Sequence, residues 1–340
     1  MKLCLITNYG NRSYVNEKFI HDQLLVTLSI TSKDCYDFSN ANSAYSINKQ
    51  YDFALITLDY KITSIEKYDK FLSEVKIPKI FLVESIAEKH KEVCMSFLDY
   101  RSTLFTSLST VHQNLLYSKY SNGLIFYSEL DKRMFDEFYN VDKSIARTVI
   151  PPSLGKKKNI KVDFKNLKPN TNILFNGCPS FSNGITNLDQ ALQGLNTYTA
   201  DIYGTHGRED LANENIVNHI TSTNNNVKFL GKLKDIKKSF SIYHIFFNAT
   251  IYDSFNYLAF LSLLNGTIPI LSSNTGTSSY FKSYPFIAEH NIESLKYTLE
   301  LINQTPIKYL QDILKDTANH MLELNDKTSK EKYLNFFNEL

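Results

Sequence analysis

With 340 residues, 43% of them hydrophobic, the chain is about twice the length of an ordinary domain and carries apolar material for two cores. Its formal net charge of +2, with lysines spread along the whole length, excludes a field strong enough to announce nucleic acid, though it leaves room for a local basic stripe. No run approaches the ~20 apolar residues that span a bilayer, no basic-then-apolar leader opens the chain, and Cys4, Cys35, Cys94 and Cys178 show no metal-type pairing, so a soluble, cytoplasmic chain with reduced thiols is expected.

Met1 to Thr7 is a short apolar run that ends in the turn Asn8-Tyr9-Gly10-Asn11, and Val15 to Leu28 has the pattern of an amphipathic helix. Strand-length runs follow at Phe53 to Leu58, Ile80 to Val83 and Leu124 to Tyr127, separated by helical stretches such as Ile65 to Val75 and Asp131 to Tyr139. Strands alternating with helices predict a parallel sheet covered on both faces. Thr148-Val149-Ile150-Pro151-Pro152-Ser153 and the lysine-rich stretch from Lys156 to Pro169 suit an exposed linker.

A second set of strands is expected at Asn172 to Phe175, Thr199 to Tyr203, Val227 to Leu230, Ile245 to Asn248 and Ile268 to Leu271, again with helices between them. Lys330 to Leu340 reads as an amphipathic helix, and no internal repeat stands out. The expected organisation is α/β: a Rossmann-like domain over 1–155, another over 165–325, and a terminal helix within 326–340 packing back on the first. Open α/β sheets bind ligands beyond the carboxyl ends of their strands, where helix N-termini favour anions. Two such sheets facing an interdomain cleft would hold a phosphorylated ligand.

The second half carries four motifs in order. Asn176-Gly177-Cys178-Pro179-Ser180-Phe181-Ser182-Asn183-Gly184 follows a strand and precedes a helix. Asp201-Ile202-Tyr203-Gly204-Thr205-His206-Gly207-Arg208-Glu209 is a strand running into a glycine turn, and Val227-Lys228-Phe229-Leu230-Gly231-Lys232 is a third strand with a glycine end. Ile251-Tyr252-Asp253-Ser254-Phe255-Asn256-Tyr257 is followed by Leu261 and by Asn265-Gly266-Thr267-Ile268-Pro269-Ile270. Together they resemble the retaining GT-B glycosyltransferases of the family 4 type, which use nucleotide sugars.

That resemblance implies roles. Gly177 and Gly184 fall in register with the family's diphosphate loop, while Cys178 and Asn183 stand where it has Arg and Lys. Arg12 in the first strand-helix loop, near Gly10, and Arg208 in the glycine turn are the substitute cations to consider. Lys232 and Leu233 fall on the base side. Asp253 keeps the first acid, which binds the sugar, and Ser254, Phe255, Asn256 and Tyr257 form the turn whose N–H groups meet the phosphates. Leu261 replaces the second acid, and leucine cannot accept a hydrogen bond from ribose. A capping carboxylate is the alternative for Asp253, and a plain turn is the alternative for the two glycines.

The first half matches more loosely, through Tyr127-Ser128-Glu129 and Val149-Ile150-Pro151. Glu84 follows a strand, where an acid in the β-glucosyl enzymes takes the proton of the acceptor hydroxyl; a surface salt bridge is the other reading. His206 and His112 are read as structural or surface residues. The stretch from Asn256-Tyr257 to Pro269 and the opening Asn8 to Asn11 resemble phage DNA glucosyltransferases. The leading expectation is therefore transfer from a UDP-sugar to a hydroxymethylated pyrimidine in double-stranded phage DNA, in the host cytoplasm, with Lys156 to Lys161 and Lys232 to Lys238 as its basic rim. A surface-polysaccharide or lipid-linked glycan enzyme, or a noncatalytic glycan-binding relative, stands beside it. No cofactor is expected, and no metal, since no His and carboxylate cluster has ligand spacing.

Overall fold

The short apolar runs fold as parallel strands, each followed by a helix that returns the chain to the start of the next. The computed structural model describes residues 1–7, 15–38, 43–58, 62, 64–84, 100–155, 172–176, 184–195, 197–204, 211–233, 235–248 and 250–340. They form two units, residues 1–156 with 324–340, and residues 157–323.

The first unit holds β1 (Leu3–Ile6), β2 (Cys35–Tyr36), β3 (Phe53–Thr57), β4 (Lys79–Val83), β5 (Gly123–Phe126) and β6 (Ala146–Val149), all parallel, in the order β2-β1-β3-β4-β5-β6. Every residue of β1 and β5 is buried, as continuous apolar strands under two helical layers must be. Around the sheet lie α1 (Val15–Leu28), α2 (Ser43–Gln50), α3 (Glu66–Glu74), α4 (Tyr100–Tyr120) and α5 (Glu129–Phe138). Ser128 starts α5 by accepting from Asp131 N, and Phe135 on its buried face meets Tyr117 at 5.3 Å and Tyr139 at 4.8 Å between ring centres.

The second unit holds β7 (Asn172–Asn176), β8 (Thr199–Tyr203), β9 (Val227–Gly231), β10 (Ile245–Asn248), β11 (Ile268–Ser272) and β12 (Ile287–Ala288), parallel in the order β12-β11-β10-β7-β8-β9. Its helices are α6 (Ile185–Leu192), α7 (Leu211–Thr223), α8 (Ile236–Phe240), α9 (Tyr257–Leu264), α10 (Ile292–Gln304) and α11 (Ile307–Met321). Counted from β7, this is the doubly wound dinucleotide-fold order, with a topological switch between β7 and β10. Helix α9 is apolar nearly all round and is buried against β11 and α11.

The chain then returns to the first unit as α12 (Asp326–Glu339), capped by Asn325, with Ser329, Tyr333, Phe336 and Phe337 as its buried stripe. It packs on α1, and Phe337 stacks on Phe53 at 5.6 Å. A β-carbon at Gly123 would lie 3.0 Å from both Leu340 Cδ1 and Phe336 Cζ, so glycine there admits the helix. The Asp326 carboxylate accepts from Ser153 Oγ at 2.5 Å and from Thr27 Oγ1 at 3.3 Å, clasping α1, the segment after β6 and α12.

The units repeat one detail. Tyr51 donates to Asp34 at 2.8 Å and meets the Tyr36 hydroxyl at 3.0 Å; Tyr243 donates to Asp201 at 2.6 Å and meets Tyr203 at 3.1 Å. Each Asp-x-Tyr lies at the unit's second strand, and each partner tyrosine precedes the strand on the far side of the first. Burial, reinforced by these bonds, pushes both partner phenols above their ordinary value.

Candidate functional site

The switch point of the second unit lies between the carboxyl ends of β7 and β10, whose registers pair Phe175 with Phe247. In such sheets the loops leaving the two strands diverge and open a crevice between them. Gly177, Cys178 and Asn183 of the β7 loop lie outside the described residues, as do Gly10, Arg12, Arg208 and His206. Gly184, the end of that loop, is described. It is the N-cap of α6 at φ 78°, ψ 19°, a left-handed conformation open to glycine at little cost, and no side chain caps the helix there. The first N–H groups of α6 thus have no side-chain acceptor among the described residues.

The loop after β10 is held by the segment that follows β11. Asp253 forms a parallel bridge with Thr275, Gly276 N donates to Asp253 O at 2.8 Å, and Asn256 N donates to Thr277 Oγ1. Asn256 caps α9 by accepting from Ala259 N at 3.0 Å, which places Ser254, Phe255, Asn256 and Tyr257 as the buried entrance to that helix. The Asp253 carboxylate accepts from Phe255 N at 3.1 Å and from Asn256 Nδ2 at 3.0 Å. Protein packed around the half-buried residue pushes its carboxyl up to about 6, against the pull of those two donors. It therefore binds local N–H groups in the manner of a loop-ordering acid, at the strand ends beyond which open α/β sheets bind ligands. Leu261 is half-buried on α9.

Two further side chains stand at this point, Asn248, read from the sequence only as the end of a strand, and Thr250, which the sequence reading did not single out. Asn248 ends β10 and Thr250 follows it; Asn248 Oδ1 and Thr250 Oγ1 are buried and have no hydrogen-bond partner among the described residues. Lys232 and Leu233 follow β9, two strands out from β7 and so about 10 Å away along the sheet. Lys232 is exposed and Leu233 half-buried. Gly184 and the residues from Asp253 to Tyr257 thus open from neighbouring strands, whereas Lys232 and Leu233 lie at the sheet edge.

In the first unit Glu84 directly follows β4, half-buried, and accepts from the Tyr127 hydroxyl at 3.1 Å just past the neighbouring β5. Its charge adds to the burial that raises the Tyr117 and Tyr333 phenols. Thr57 donates to Thr7 at 2.8 Å where β3 and β1 end, at that sheet's own switch point. His112 Nδ1 lies 2.8 Å from Ile62 O, a structural bond. Among the described residues no group of three or more His, Cys, Asp or Glu could hold a metal, and no helix is long and apolar enough to cross a membrane.

No protein-family model matches the chain, and no curated protein matches it in sequence. Solved structures do. Anabaena HepE, in complex with UDP and glucose, matches with TM-score 0.73 and 12% identity over 100% of both chains. Sucrose-phosphate synthase from Thermosynechococcus elongatus matches with TM-score 0.69 and 13% identity, over 98% of this chain and 82% of the other. A UDP-forming α,α-trehalose-phosphate synthase from Burkholderia xenovorans, in complex with glucose-6-phosphate, matches with TM-score 0.68 and 12% identity, over 99% and 100%. At these identities the likeness is one of fold, and the fold of this chain is the two-unit α/β fold of the GT-B glycosyltransferases.

Proposed function

We propose that the chain transfers a glycosyl group from a nucleotide-sugar donor, a UDP-sugar, to a hydroxyl acceptor. The observation that carries this reading is the furnishing of the second unit's switch point: the Gly184 helix start and the Asp253 loop leave adjacent strands, the latter tied down by Thr275, Gly276 and Thr277. The fold neighbours support it, since HepE was solved with UDP, with UDP-glucose, and with UDP and glucose. In the proposed reaction the bond from the anomeric carbon to the diphosphate oxygen breaks and a bond to the acceptor oxygen forms. The acceptor's proton passes to a base, for which Glu84 is the candidate, and the diphosphate leaves against fixed N–H donors around α6 and α9. Asp253 holds a sugar hydroxyl. No step calls for a metal.

The acceptor we propose is a hydroxymethylated pyrimidine in double-stranded phage DNA, a reading supported by the sequence likenesses at Asn8 to Asn11 and Asn256 to Pro269. Incubating the chain with radiolabelled UDP-sugars and hydroxymethylated DNA tests it, with label expected in the DNA. Label appearing only in glycan or lipid acceptors would replace that acceptor. Calorimetry that detects no nucleotide sugar bound to the folded chain would favour a noncatalytic relative, for which Leu261 at the second acid position is the supporting observation.

A further inference from the structure

Buried polar side chains of the second unit find partners close by. Thr267 donates to Phe240 O at 2.6 Å, Ser262 donates to Ala259 O at 2.8 Å, and Thr277 accepts from Asn256 N. Asn248 and Thr250 depart from that rule. They are only 8% and 4% exposed, yet Asn248 Oδ1 and Thr250 Oγ1 have no partner among the described residues. Such a cost calls for a partner from outside the chain, an ordered water or a ligand. Both residues lie at the carboxyl end of β10 beside β7, at the switch point, a few positions before Asp253.

We propose that Asn248 and Thr250 are a hydroxyl-reading pair that selects the glycosyl group of the donor. The inference rests on the donor reading above and assigns it two residues. Asn248 Oδ1 can only accept a hydrogen bond, and a diphosphate at neutral pH has no hydrogen to give, so the diphosphate cannot be its partner. A sugar hydroxyl can. The Thr250 hydroxyl both donates and accepts, and so can meet a sugar hydroxyl in either role. Asp253 acts beside the pair: each of its oxygens accepts one local bond, from Phe255 N or from Asn256 Nδ2, and a carboxylate oxygen keeps a second lone pair for a sugar hydroxyl. A site built to bond a hydroxyl discriminates against a sugar that lacks or inverts it far more sharply than an apolar wall does.

The test titrates the full chain calorimetrically with UDP, UDP-glucose, UDP-galactose and UDP-N-acetylglucosamine, using the wild type, Thr250→Val and Asn248→Leu, and records melting curves without ligand. UDP carries the ribose and base hydrogens but no glycosyl group, so the affinity of the preferred UDP-sugar relative to UDP isolates the glycosyl contact. We expect that ratio to fall about tenfold in each variant, the worth of one hydrogen bond. The unliganded melting temperature should hold or rise as a buried unpaired group is removed. An unchanged ratio overturns the inference, as does an equal loss of UDP and UDP-sugar, which would assign the pair to the nucleotide. A melting temperature lowered by several degrees in both variants overturns it too, since the groups would then be structural. Failure of the wild type to bind any of the four ligands overturns the donor reading itself and is visible without the variants.

Discussion

Asp253→Asn removes a charge that the fold holds at a disadvantage. Burial raises the Asp253 carboxyl from 3.8 to about 6, even with Asn256 Nδ2 and Phe255 N–H favouring the ionised form. At about 1.36 kcal/mol per pH unit, that rise corresponds to about 3 kcal/mol of native-state penalty once the group is ionised. The residue keeps some open surface, so this figure is an upper bound. A carboxyl whose folded value lies above its unfolded one contributes stability that is fully present below 3.8 and is lost as the pH rises through about 6. Salt-bridged carboxylates do the reverse. Urea unfolding of the wild type and the variant, compared at each pH from about 4 to about 8, cancels the other titrating groups. Wild-type stability minus variant stability should decline by up to about 3 kcal/mol across that window. A flat difference, or one that grows with pH, would refute the reasoning, because it would mean that burial does not oppose this charge.

Other outcomes follow from the same geometry. Gly184→Ala forces a side chain onto a backbone at φ 78° and should cost about 1–2 kcal/mol in urea unfolding, with weaker UDP-sugar binding by calorimetry. Asn256→Ala removes the α9 cap and one of the two donors on Asp253; a loss of about 1–2 kcal/mol is expected, and a neutral result would show that the loop is held by Thr275 to Thr277 alone. Asp326→Ala unfastens Ser153 and Thr27 and should cost the first unit about 1–3 kcal/mol, with faster proteolytic release of the last helix than in the wild type.

The strands were legible wherever an apolar run was long enough to be buried on both faces. Phe53 to Leu58 and Ile245 to Asn248 were placed to within a residue, because nothing but a two-sided parallel strand accommodates such runs. Among the strands that escaped notice, Cys35–Tyr36 and Ile287–Ala288 are two-residue edge strands that carry no alternation to detect, and the edge strand Ala146–Val149 overlaps the segment from Thr148 that reads as linker because of the prolines after it. Helix α9 read as a motif rather than a helix, since an all-apolar segment has no polar face to set its period. The repeated Asp-x-Tyr of Asp34 to Tyr36 and Asp201 to Tyr203 is too short to register as a repeat until the paired tyrosines are seen to reach across each sheet. In the candidate site, Asp253 and Gly184 were singled out through the resemblance of the motifs that contain them. Asn248 and Thr250 were not, because an unpaired buried atom is a property of the surroundings and leaves no mark on the residue type.

Because residues 324–340 complete the first unit, that unit is assembled from chain made before and after the second one. The six strands of that unit leave the ribosome well before the helix that fills the space over Gly123 and stacks on Phe53, whereas the second unit emerges in one stretch. Vectorial folding therefore runs against chain order here: the later unit is the first able to close, and the earlier one waits with an apolar strip uncovered for a chaperone to shield. A carboxyl-terminal tag or a premature stop codon would accordingly injure the amino-terminal sheet, so a damaged product should betray itself by protease cuts near the start of the chain.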